Sequence, residues 1–335
     1  MDQPKNNNSL VDSDLAGAKR IIDKITAAYQ KKVVGQDELR LSMLVALIAN
    51  GHVLLESVPG LAKTLAAKTI SEAANGTFSR IQCTPDLLPS DIIGTQIYNY
   101  NTGSFETKVG PVHANFILLD EINRSSAKTQ SAMLEAMQER QVSVGGVMYK
   151  MPAPFIVLAT QNPIEQEGTY ELPEAQLDRF LLKEIVNYPS RDEELQILNY
   201  TLSGATTSPL ADNEKVSIDD IQILQQYAER ITVDDSIKNY IINIVTATRN
   251  PRELIDAGLA RYVEYGVSPR GAIALMKVAQ AIALMEGRAY VTPDDVKRLR
   301  YAALRHRIIL NFEASADEVH PEAIIDAIFS KIQTP

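Results

Sequence analysis

The segment at residues 56–64, which reads Glu-Ser-Val-Pro-Gly-Leu-Ala-Lys-Thr, constrains the fold of this chain more than any other. The apolar run at residues 53–55 enters it as a buried strand would, and the alanine-rich run at residues 65–70, which favours a helix, leaves it. A loop that ends in Lys-Thr at a helix start turns backbone N–H groups and the positive end of the helix dipole toward an anion. The sequence therefore predicts a strand, an anion-binding loop and a helix.

The spacing of this loop is that of the phosphate-binding loop, Gly-x-x-x-x-Gly-Lys-Thr, with both framing glycines replaced. Ser57 and Ala62 hold their positions, and a Pro-Gly pair inside the loop restores a sharp turn. Lys63 is expected to meet a phosphate and Thr64 to ligate Mg²⁺. Ser57 is the more serious departure, because a left-handed backbone there would cost about 1 kcal/mol or more. An ordinary strand-to-helix turn with a capping residue would give the same local pattern.

The composition is that of a soluble protein with room for two cores. The chain has 335 residues, of which 45% are hydrophobic and 22% charged. Its formal net charge of −9 disfavours both nucleic acid and an anionic membrane as partners. The single cysteine excludes an intrachain disulfide, and the scattered histidines are interpreted as structural or surface residues. Without a signal peptide or a long apolar run, we predict a cytoplasmic protein and no membrane insertion.

Two further polar sites follow apolar runs that are suited to buried strands. The run at residues 116–121 ends in Asp120 and Glu121, and the run at residues 155–160 is followed by Asn162. Beside a phosphate loop, Asp120 can hold Mg²⁺ through its water shell and Glu121 can orient and deprotonate a water. Asn162 could hold that water or the γ-phosphate. The alternatives are a solvated acidic cap for the pair and a turn asparagine ahead of proline for Asn162.

The remaining pattern predicts helices, hairpins and a turn. Residues 33–36 form a turn ahead of the phosphate loop, in which Val34 and Gly35 are candidate contacts to adenine. Glycine-containing turns predict hairpins at residues 96–109 and 141–150, and Ser125 is expected to cap a helix that runs to Arg140. Strands are also predicted at residues 78–82 and 180–186, and helices at residues 15–30, from Asp37, and after Asp234, Ser268, Thr292 and His320.

These signals divide the chain into segments of different composition. We predict an N-terminal segment and helix at residues 1–32 and an α/β nucleotide-binding core at residues 33–190. A polar linker is predicted at residues 191–215, and a helical lid domain at residues 216–335.

Taken together, the motifs resemble the MoxR family of AAA+ ATPases over nearly the whole chain. The matching segments, in order, are residues 56–64, 84–91, 120–124, 159–163, 172–180 and 268–270. The resemblance implies a P-loop α/β fold, with a doubly wound parallel sheet that carries β-hairpin inserts and is followed by a smaller all-α lid domain. It also implies ATP and Mg²⁺ as cofactors.

The resemblance assigns roles to individual residues. The implied catalytic residues are Glu121 as the Walker B base, Asn162 as sensor 1, Arg179 as the arginine finger and Arg270 as sensor 2. The implied nucleotide-binding residues are Val34, Gly35, Ser57, Val58, Pro59, Gly60, Leu61, Ala62, Lys63, Thr64, Leu65 and Asp120, with Thr64 and Asp120 also binding the metal. Arg124 is a second candidate for reaching across subunits. A local pair with Asp178 or Glu174 is the alternative for Arg179, and a surface position in a first helical turn is the alternative for Arg270.

An arginine finger supplied in trans requires a closed head-to-tail assembly, and the resemblance implies a homo-oligomer in the form of a hexameric ring. The implied function is that of a Mg²⁺-dependent, ATP-hydrolysing chaperone that remodels or matures a protein complex or a metal-cofactor enzyme. Its client could be a von Willebrand factor A domain protein. The alternatives are a nucleotide-gated binding switch with little turnover, motivated by Ser57, and a DNA-associated motor, against which the acidic composition argues.

Overall fold

The structure is a computed structural model that describes residues 10–163 and 169–335. The chain divides into two compact units. The first, here called the sheet unit, comprises Asp23–Phe180 and Glu184–Gln222. The second, here called the helical unit, comprises Leu181–Lys183, Ile223–Pro335 and the described residues that precede Asp23.

Strands and helices are numbered in chain order. The strands are β1 (Val53–Glu56), β2 (Phe78–Gln82), β3 (Gly94–Asn99), β4 (Ser104–Val109), β5 (Phe116–Asp120), β6 (Gln141–Val144), β7 (Val147–Lys150), β8 (Ile156–Gln161), β9 (Leu182–Ile185), β10 (Val263–Tyr265) and β11 (Ile309–Leu310). The helices are α1 (Asp12–Gln30), α2 (Asp37–Ile48), α3 (Lys63–Ala73), α4 (Pro89–Ile93), α5 (Ala127–Glu139), α6 (Glu174–Leu177), α7 (Arg191–Ser203), α8 (Ile218–Arg230), α9 (Asp235–Arg249), α10 (Ala257–Ala260), α11 (Pro269–Met285), α12 (Pro293–Arg298), α13 (Arg300–Leu304), α14 (Phe312–Ala316) and α15 (Pro321–Lys331).

The central sheet has the strand order β2-β5-β8-β1-β9. The pairs β2–β5, β5–β8 and β8–β1 are parallel, as the doubly wound prediction requires. β5 is buried along its whole length, which explains its uninterrupted apolar sequence. In the register, Gln82 lies opposite Asp120 and Glu56 opposite Gln161. The carboxyl ends of four strands therefore meet at one edge of the sheet.

Helices cover the sheet, and hairpins extend from it. Met133 and Met137 of α5 are buried in one hydrophobic cluster with Ile117, Leu119 and Val157 of the sheet. The antiparallel pairs β3–β4 and β6–β7 form where the glycine-containing turns predict hairpins. The predicted P-loop α/β core with its hairpin inserts is therefore confirmed.

The helical unit is built mainly on α9, α11 and α15. Tyr240 and Ile244 of α9, Val278 of α11 and Ile325 and Ile328 of α15 are all buried. Helices α9 and α11 begin at the predicted positions. Ser236 N–H donates to the Asp234 side chain at the start of α9, and Arg270 N–H donates to the Ser268 side chain at the start of α11. A short antiparallel ribbon, β10–β11, is present in addition to the helices that were predicted.

Two local predictions were wrong. Ser126, not Ser125, caps α5, because the Ser125 hydroxyl donates to Ile122 O within the preceding 3₁₀ turn. Residues 191–215 were predicted as a linker, yet they contain α7, which begins with a capping box between Ser190 and Glu193. The segment has a polar composition because α7 buries none of its residues completely, and that composition concealed the helix.

Among residues 10–163 and 169–335, no helix combines the length and the apolar content needed to cross a membrane.

His52, just before β1, connects α5 and β8 inside the sheet unit. Its Nδ1 accepts from Val157 N–H at 3.0 Å, and its Nε2 lies 3.2 Å from Met137 O, to which it donates. Burial, together with the charge of Arg140, lowers the pKa of His52 from 6.5 to about 3, against the opposing effect of the Met137 hydrogen bond. The folded protein therefore keeps His52 neutral at pH values where the unfolded chain protonates it.

We predict that acid destabilises the fold partly through His52. The stability that neutral His52 provides is complete above pH 6.5 and is lost as the pH falls from 6.5 toward 3, with a slope of at most about 1.4 kcal/mol per pH unit. Urea unfolding at pH 7.0, 6.0 and 5.0 should give a shallower pH dependence for His52→Gln than for the wild type. His320→Gln, a change at an exposed histidine, should leave the slope unchanged. Equal slopes for wild type and His52→Gln would contradict the prediction.

Candidate nucleotide site

The loop between β1 and α3 has an open helix N-terminus. Ser57 N–H donates to Gln161 O at 3.1 Å, which fixes the start of the loop to β8. Ala62 is the N-cap of α3, with φ 56 and ψ 14, and provides no side-chain cap. The first backbone N–H groups of α3 therefore have no capping side chain, which is the arrangement that binds a phosphate.

The backbone strain in this loop lies at Ala62, not at Ser57. Ala62 and Gly60 have positive φ values, whereas Ser57 does not. The Ser57 hydroxyl instead donates to Val58 O at 3.1 Å. The expected penalty at Ser57 was therefore assigned to the wrong residue. The left-handed conformation occurs at the second framing position, where alanine bears a cost of about 1–2 kcal/mol that glycine would avoid.

Lys63 lies over the loop and close to the acidic pair. Its Nζ is 3.3 Å from both Ser57 O and Val58 O. Burial lowers the pKa of Lys63, and the carboxylates of Asp120 and Glu121 act in the opposite direction. The structure therefore brings the loop lysine into the electrostatic field of both predicted Walker B residues.

Asp120 is almost completely buried at the end of β5, and both of its carboxylate oxygens have partners. Arg80 of β2 donates to Oδ2 from Nε at 3.0 Å and from Nη2 at 2.5 Å. Thr160 of β8 donates to Oδ1 at 3.0 Å. Neither Arg80 nor Thr160 was predicted as a site residue, because only the strand order places β2 and β8 on the two sides of β5.

Glu121 follows β5 in a left-handed conformation, with φ 56 and ψ 54. Its backbone N–H donates to Thr160 Oγ1 at 2.8 Å. Its Oε2 accepts from Gln82 Nε2 at 3.2 Å and from Arg124 Nη1 at 3.0 Å. Glu121 is therefore held by its side chain and by its backbone, and the reading of the acidic pair as a freely solvated cap does not describe it.

A cavity of ≈100 Å³ lies beside the loop, and several residues that were predicted to contact the nucleotide line it. Its lining residues are Lys32, Val33, Val34, Gln36, Gly60, Leu61, Ala62, Leu65, Pro189, Ile197, Tyr200 and Thr206. Val34, Gly60, Leu61, Ala62 and Leu65 were predicted to contact the nucleotide. Gly35 adjoins them in the chain and has a positive φ of 63.

Sequence reasoning missed Ile197 and Tyr200, which line the cavity from α7. Both lie on the half-buried face of that helix. The available signal was the Ser-x-x-Glu capping box at residues 190–193, followed by apolar residues at a helical spacing. Because residues 191–215 were predicted as a linker, no helix was available to contribute a wall to the site.

The other predicted site residues differ in their surroundings. Asn162 is buried and lines a second cavity, of ≈680 Å³, together with Glu56 and Asn123. Arg179 is half-buried, and its Nε has no hydrogen-bond partner, so the structure gives no support to a local ion pair at that atom. Arg270 is exposed in the first turn of α11, in the helical unit.

The oxygen donors of the site fit Mg²⁺. Thr64 at the start of α3 provides a hydroxyl, and Asp120 provides a carboxylate. In the part of the chain that is described, no group of three or more His, Cys, Asp or Glu side chains could hold a metal. A site with one hydroxyl and one carboxylate suits a cation that takes its other ligands from substrate phosphates and water.

The strand order, the open loop after β1 and the acidic pair after β5 define a P-loop nucleotide-binding domain. Comparison with known proteins supports the assignment of a P-loop nucleotide-binding domain. Residues 52–182 match the family described as ATPase family associated with various cellular activities (AAA), and residues 257–328 match an AAA lid domain.

Relatives of similar length identify the family of AAA proteins to which the chain belongs. Chaperone MoxR1 of Mycobacterium tuberculosis is 47% identical over 96% of this chain and 84% of its own length. Protein MoxR of Paracoccus denitrificans is 32% identical over 92% of this chain and 95% of its own. A crystal structure of a candidate ATPase from Cytophaga hutchinsonii, 44% identical, superposes with a TM-score of 0.88 and covers 96% of this chain and 97% of that one. The chain belongs to the MoxR family of AAA+ ATPases.

We predict that Gly35→Ala disturbs the cavity beside the loop through α7. A Cβ at Gly35 would clash with Glu193 Oε1, and Glu193 is held in place because its Oε2 accepts from Ser190 N–H and from the Ser190 hydroxyl. With the backbone strain at φ +63 added, the free energy of unfolding should fall by about 2–3 kcal/mol. Binding of a fluorescent ATP analogue should weaken severalfold, because α7 carries Ile197 and Tyr200.

Gly146→Ala is the matched control for this experiment. Gly146 has φ +82, and a Cβ there would meet nothing within 4 Å. The control should therefore lose only the backbone contribution, about 1 kcal/mol, and keep its nucleotide affinity. Equal losses of affinity in the two variants would show that the contact between Gly35 and Glu193 does not shape the cavity.

Proposed function

We propose that this chain is a Mg²⁺-dependent ATPase that assembles into a hexameric ring and uses ATP hydrolysis to remodel a protein client. One observation carries the proposal: Lys63 of the phosphate loop lies in the field of Asp120 and Glu121, the acidic pair at the carboxyl edge of the sheet. A cation for phosphate, a carboxylate for metal and a second carboxylate for water are the parts that phosphoryl transfer requires.

The proposed mechanism assigns one task to each residue. The N–H groups of the first turn of α3 and the Lys63 ammonium bind the β- and γ-phosphates. Glu121, held by Gln82 and Arg124, orients the attacking water and accepts its proton. Asn162, buried at the end of β8, holds the γ-phosphate or that water.

Mg²⁺, when bound, supplies positive charge to the β- and γ-phosphate oxygens. Thr64 would contribute its hydroxyl to the ion, and Asp120 its carboxylate, directly or through water. Lys63 would exchange its two carbonyl contacts for phosphate oxygens, which are stronger partners for an ammonium group.

Arg179 supports the ring assembly. Its half-buried guanidinium has an unpartnered Nε, so a phosphate of a neighbouring copy would provide an acceptor that the described part of its own chain lacks at that atom. Only a closed head-to-tail ring gives every site such a neighbour. The proposed sensor 2 role of Arg270 rests on its position at the start of α11.

The β3–β4 hairpin is the proposed site of client contact. Tyr98, Tyr100 and Phe105 are 42%, 90% and 67% exposed, and the Tyr98 ring packs edge-on against the other two. Val147 and Met148 on the β6–β7 hairpin are also exposed. Such side chains suit apolar segments of a protein client, for which a metal-cofactor enzyme or a von Willebrand factor A domain protein is a candidate. The proposals of a cytoplasmic location and of no nucleic-acid partner rest on the sequence arguments alone.

The alternative, a nucleotide-gated switch with little turnover, was suggested by the expected backbone strain at Ser57. That argument fails because the Ser57 backbone is not in the left-handed region. The DNA motor alternative still faces the acidic net charge of −9. The ATPase ring is therefore the function that the geometry supports best.

Mixed assemblies of two variants test both the chemistry and the ring. Glu121→Gln and Arg179→Ala should each lower steady-state ATP hydrolysis by about 100-fold or more, because the first removes the base and the second removes the finger. A mixed ring contains intact sites wherever an Arg179→Ala subunit receives the finger of a Glu121→Gln subunit. Mixing should therefore restore part of the wild-type rate, and wild-type specific activity should rise with protein concentration.

Lys63→Ala provides the control for this experiment, because it disables the site of its own subunit. Mixing Lys63→Ala with Glu121→Gln should restore nothing. Full ATP hydrolysis by Lys63→Ala alone would overturn the proposed site. A mixture of Arg179→Ala with Glu121→Gln that stays inactive would overturn the proposal that Arg179 acts in the site of a neighbouring subunit. Nucleotide binding without turnover at any wild-type concentration would favour the switch.

We also predict that Arg80 competes with Mg²⁺ for Asp120. The Arg80 guanidinium is half-exposed, and it neutralises Oδ2 of Asp120. An ion pair with one half-exposed partner is partly screened by solvent and contributes about 1 kcal/mol, so Arg80→Gln should lower the half-saturating Mg²⁺ concentration by about threefold in a titration with a fluorescent ATP analogue. Arg80→Lys, which keeps the competing charge, should stay close to the wild type. A higher Mg²⁺ requirement in Arg80→Gln would show that Arg80 assists the metal site.

A further inference from the structure

Thr160 is completely buried at the end of β8, and its hydroxyl contacts both residues of the acidic pair. Oγ1 donates to Asp120 Oδ1 at 3.0 Å and accepts from Glu121 N–H at 2.8 Å. A valine would match the volume and the β-branched shape of this residue, so packing alone does not require the hydroxyl. What distinguishes the hydroxyl is therefore its pair of hydrogen bonds to Asp120 and Glu121.

The direction of these two bonds is fixed by chemistry. An ionised carboxylate only accepts hydrogen bonds, so the single proton of the Thr160 hydroxyl is directed toward Asp120. The lone pairs of Oγ1 remain available, and one of them accepts from Glu121 N–H. One hydroxyl thus couples the rotamer of Asp120 to the backbone position of Glu121.

The Glu121 backbone needs such support. Its φ of 56 lies in the left-handed region, which costs a residue with a side chain about 1–2 kcal/mol. The bond from its N–H to Thr160 is made in the conformation that the structure shows, and it therefore favours the strained geometry. On Asp120, the bond to Oδ1 leaves Oδ2, the oxygen that Arg80 contacts, as the atom that can face a cation.

We propose that Thr160 is a positioning residue that sets the Asp120 rotamer for metal binding and holds the Glu121 backbone in its strained turn for activation of water. The inference deepens the proposed ATPase function and rests on it. Without the hydroxyl, Asp120 loses a donor, and the Glu121 N–H is left without its partner in a buried region. Metal binding and turnover should then suffer together, while contacts to the base of the nucleotide should persist.

Thr248 of the helical unit provides a matched control. It is also completely buried, and its hydroxyl also makes one bond as donor, to Val245 O, and one as acceptor, from Val267 N–H. The same Thr→Val change therefore removes the same kind of interaction from another buried position. Thr160→Ser is the conservative variant, because it keeps the hydroxyl and removes only a methyl group.

The experiment compares Thr160→Val, Thr160→Ser and Thr248→Val with the wild type after circular dichroism has confirmed that each variant is folded. Steady-state hydrolysis should show kcat for Thr160→Val lowered by about 10- to 100-fold, with the KM for ATP within about threefold. A Mg²⁺ titration of a bound fluorescent ATP analogue should show the half-saturating Mg²⁺ concentration raised about fivefold. Thr160→Ser and Thr248→Val should remain within about threefold of the wild type in both measurements.

Two kinds of failure can be told apart. Thr160→Val with kcat and Mg²⁺ requirement within twofold of a wild type that hydrolyses ATP would overturn this inference alone. An equal loss in Thr160→Ser, or in Thr248→Val, would overturn it too, because the effect would then follow from packing or general stability. If wild-type protein binds Mg²⁺ and nucleotide without turnover, the ATPase proposal fails, and a Mg²⁺ requirement of Thr160→Val within twofold of the wild type would overturn this inference as well. If the wild type binds no nucleotide, the proposed function and this inference fail together.

Discussion

The parallel pairing of β5 with β8 is the constraint on which the site depends. It places Leu119 opposite Ala159, so the residues that follow, Asp120 and Thr160, lie side by side at the edge of the sheet. The hydrogen bonds from Thr160 then fix the Asp120 carboxylate and the Glu121 backbone. Because both strands are buried among close-packed side chains, a slip of register would disrupt that packing, so the same hydrophobic core that stabilises the sheet also aligns its polar ends.

Electrostatic balance is the second principle of the site. The acidic pair is matched by three cations from different elements: Arg80 from β2, Lys63 from the start of α3 and Arg124 from the turn after β5. Neither carboxylate is therefore left as an isolated buried charge, which would be strongly disfavoured. The charges of the site are therefore compensated before phosphates or a metal bind. Binding of these ligands would replace some of the contacts between the charged side chains by contacts to the ligand.

Sequence patterns predicted the larger elements well because local rules govern them. Apolar runs and turn glycines gave the buried strands and both hairpins, and capping residues gave the starts of α9 and α11. The same reasoning failed at residues 191–215, because α7 has no completely buried face to produce a clear apolar period. It also assigned the loop strain to Ser57 when Ala62 adopts the left-handed turn, since spacing alone does not determine which framing residue has positive φ.

Two parts of the candidate site are contiguous in the chain and could be predicted from sequence: the loop that ends in Lys63 and Thr64, and the acidic pair. Each is a local pattern whose chemistry follows from the residue types. The distant residues that complete the site depend on how the strands and helices pack together. Arg80 and Thr160 reach Asp120 because of the strand order, and Tyr200 lines the cavity beside the loop because α7 packs there. Contacts of this kind depend on register and packing between elements, which no single stretch of sequence specifies.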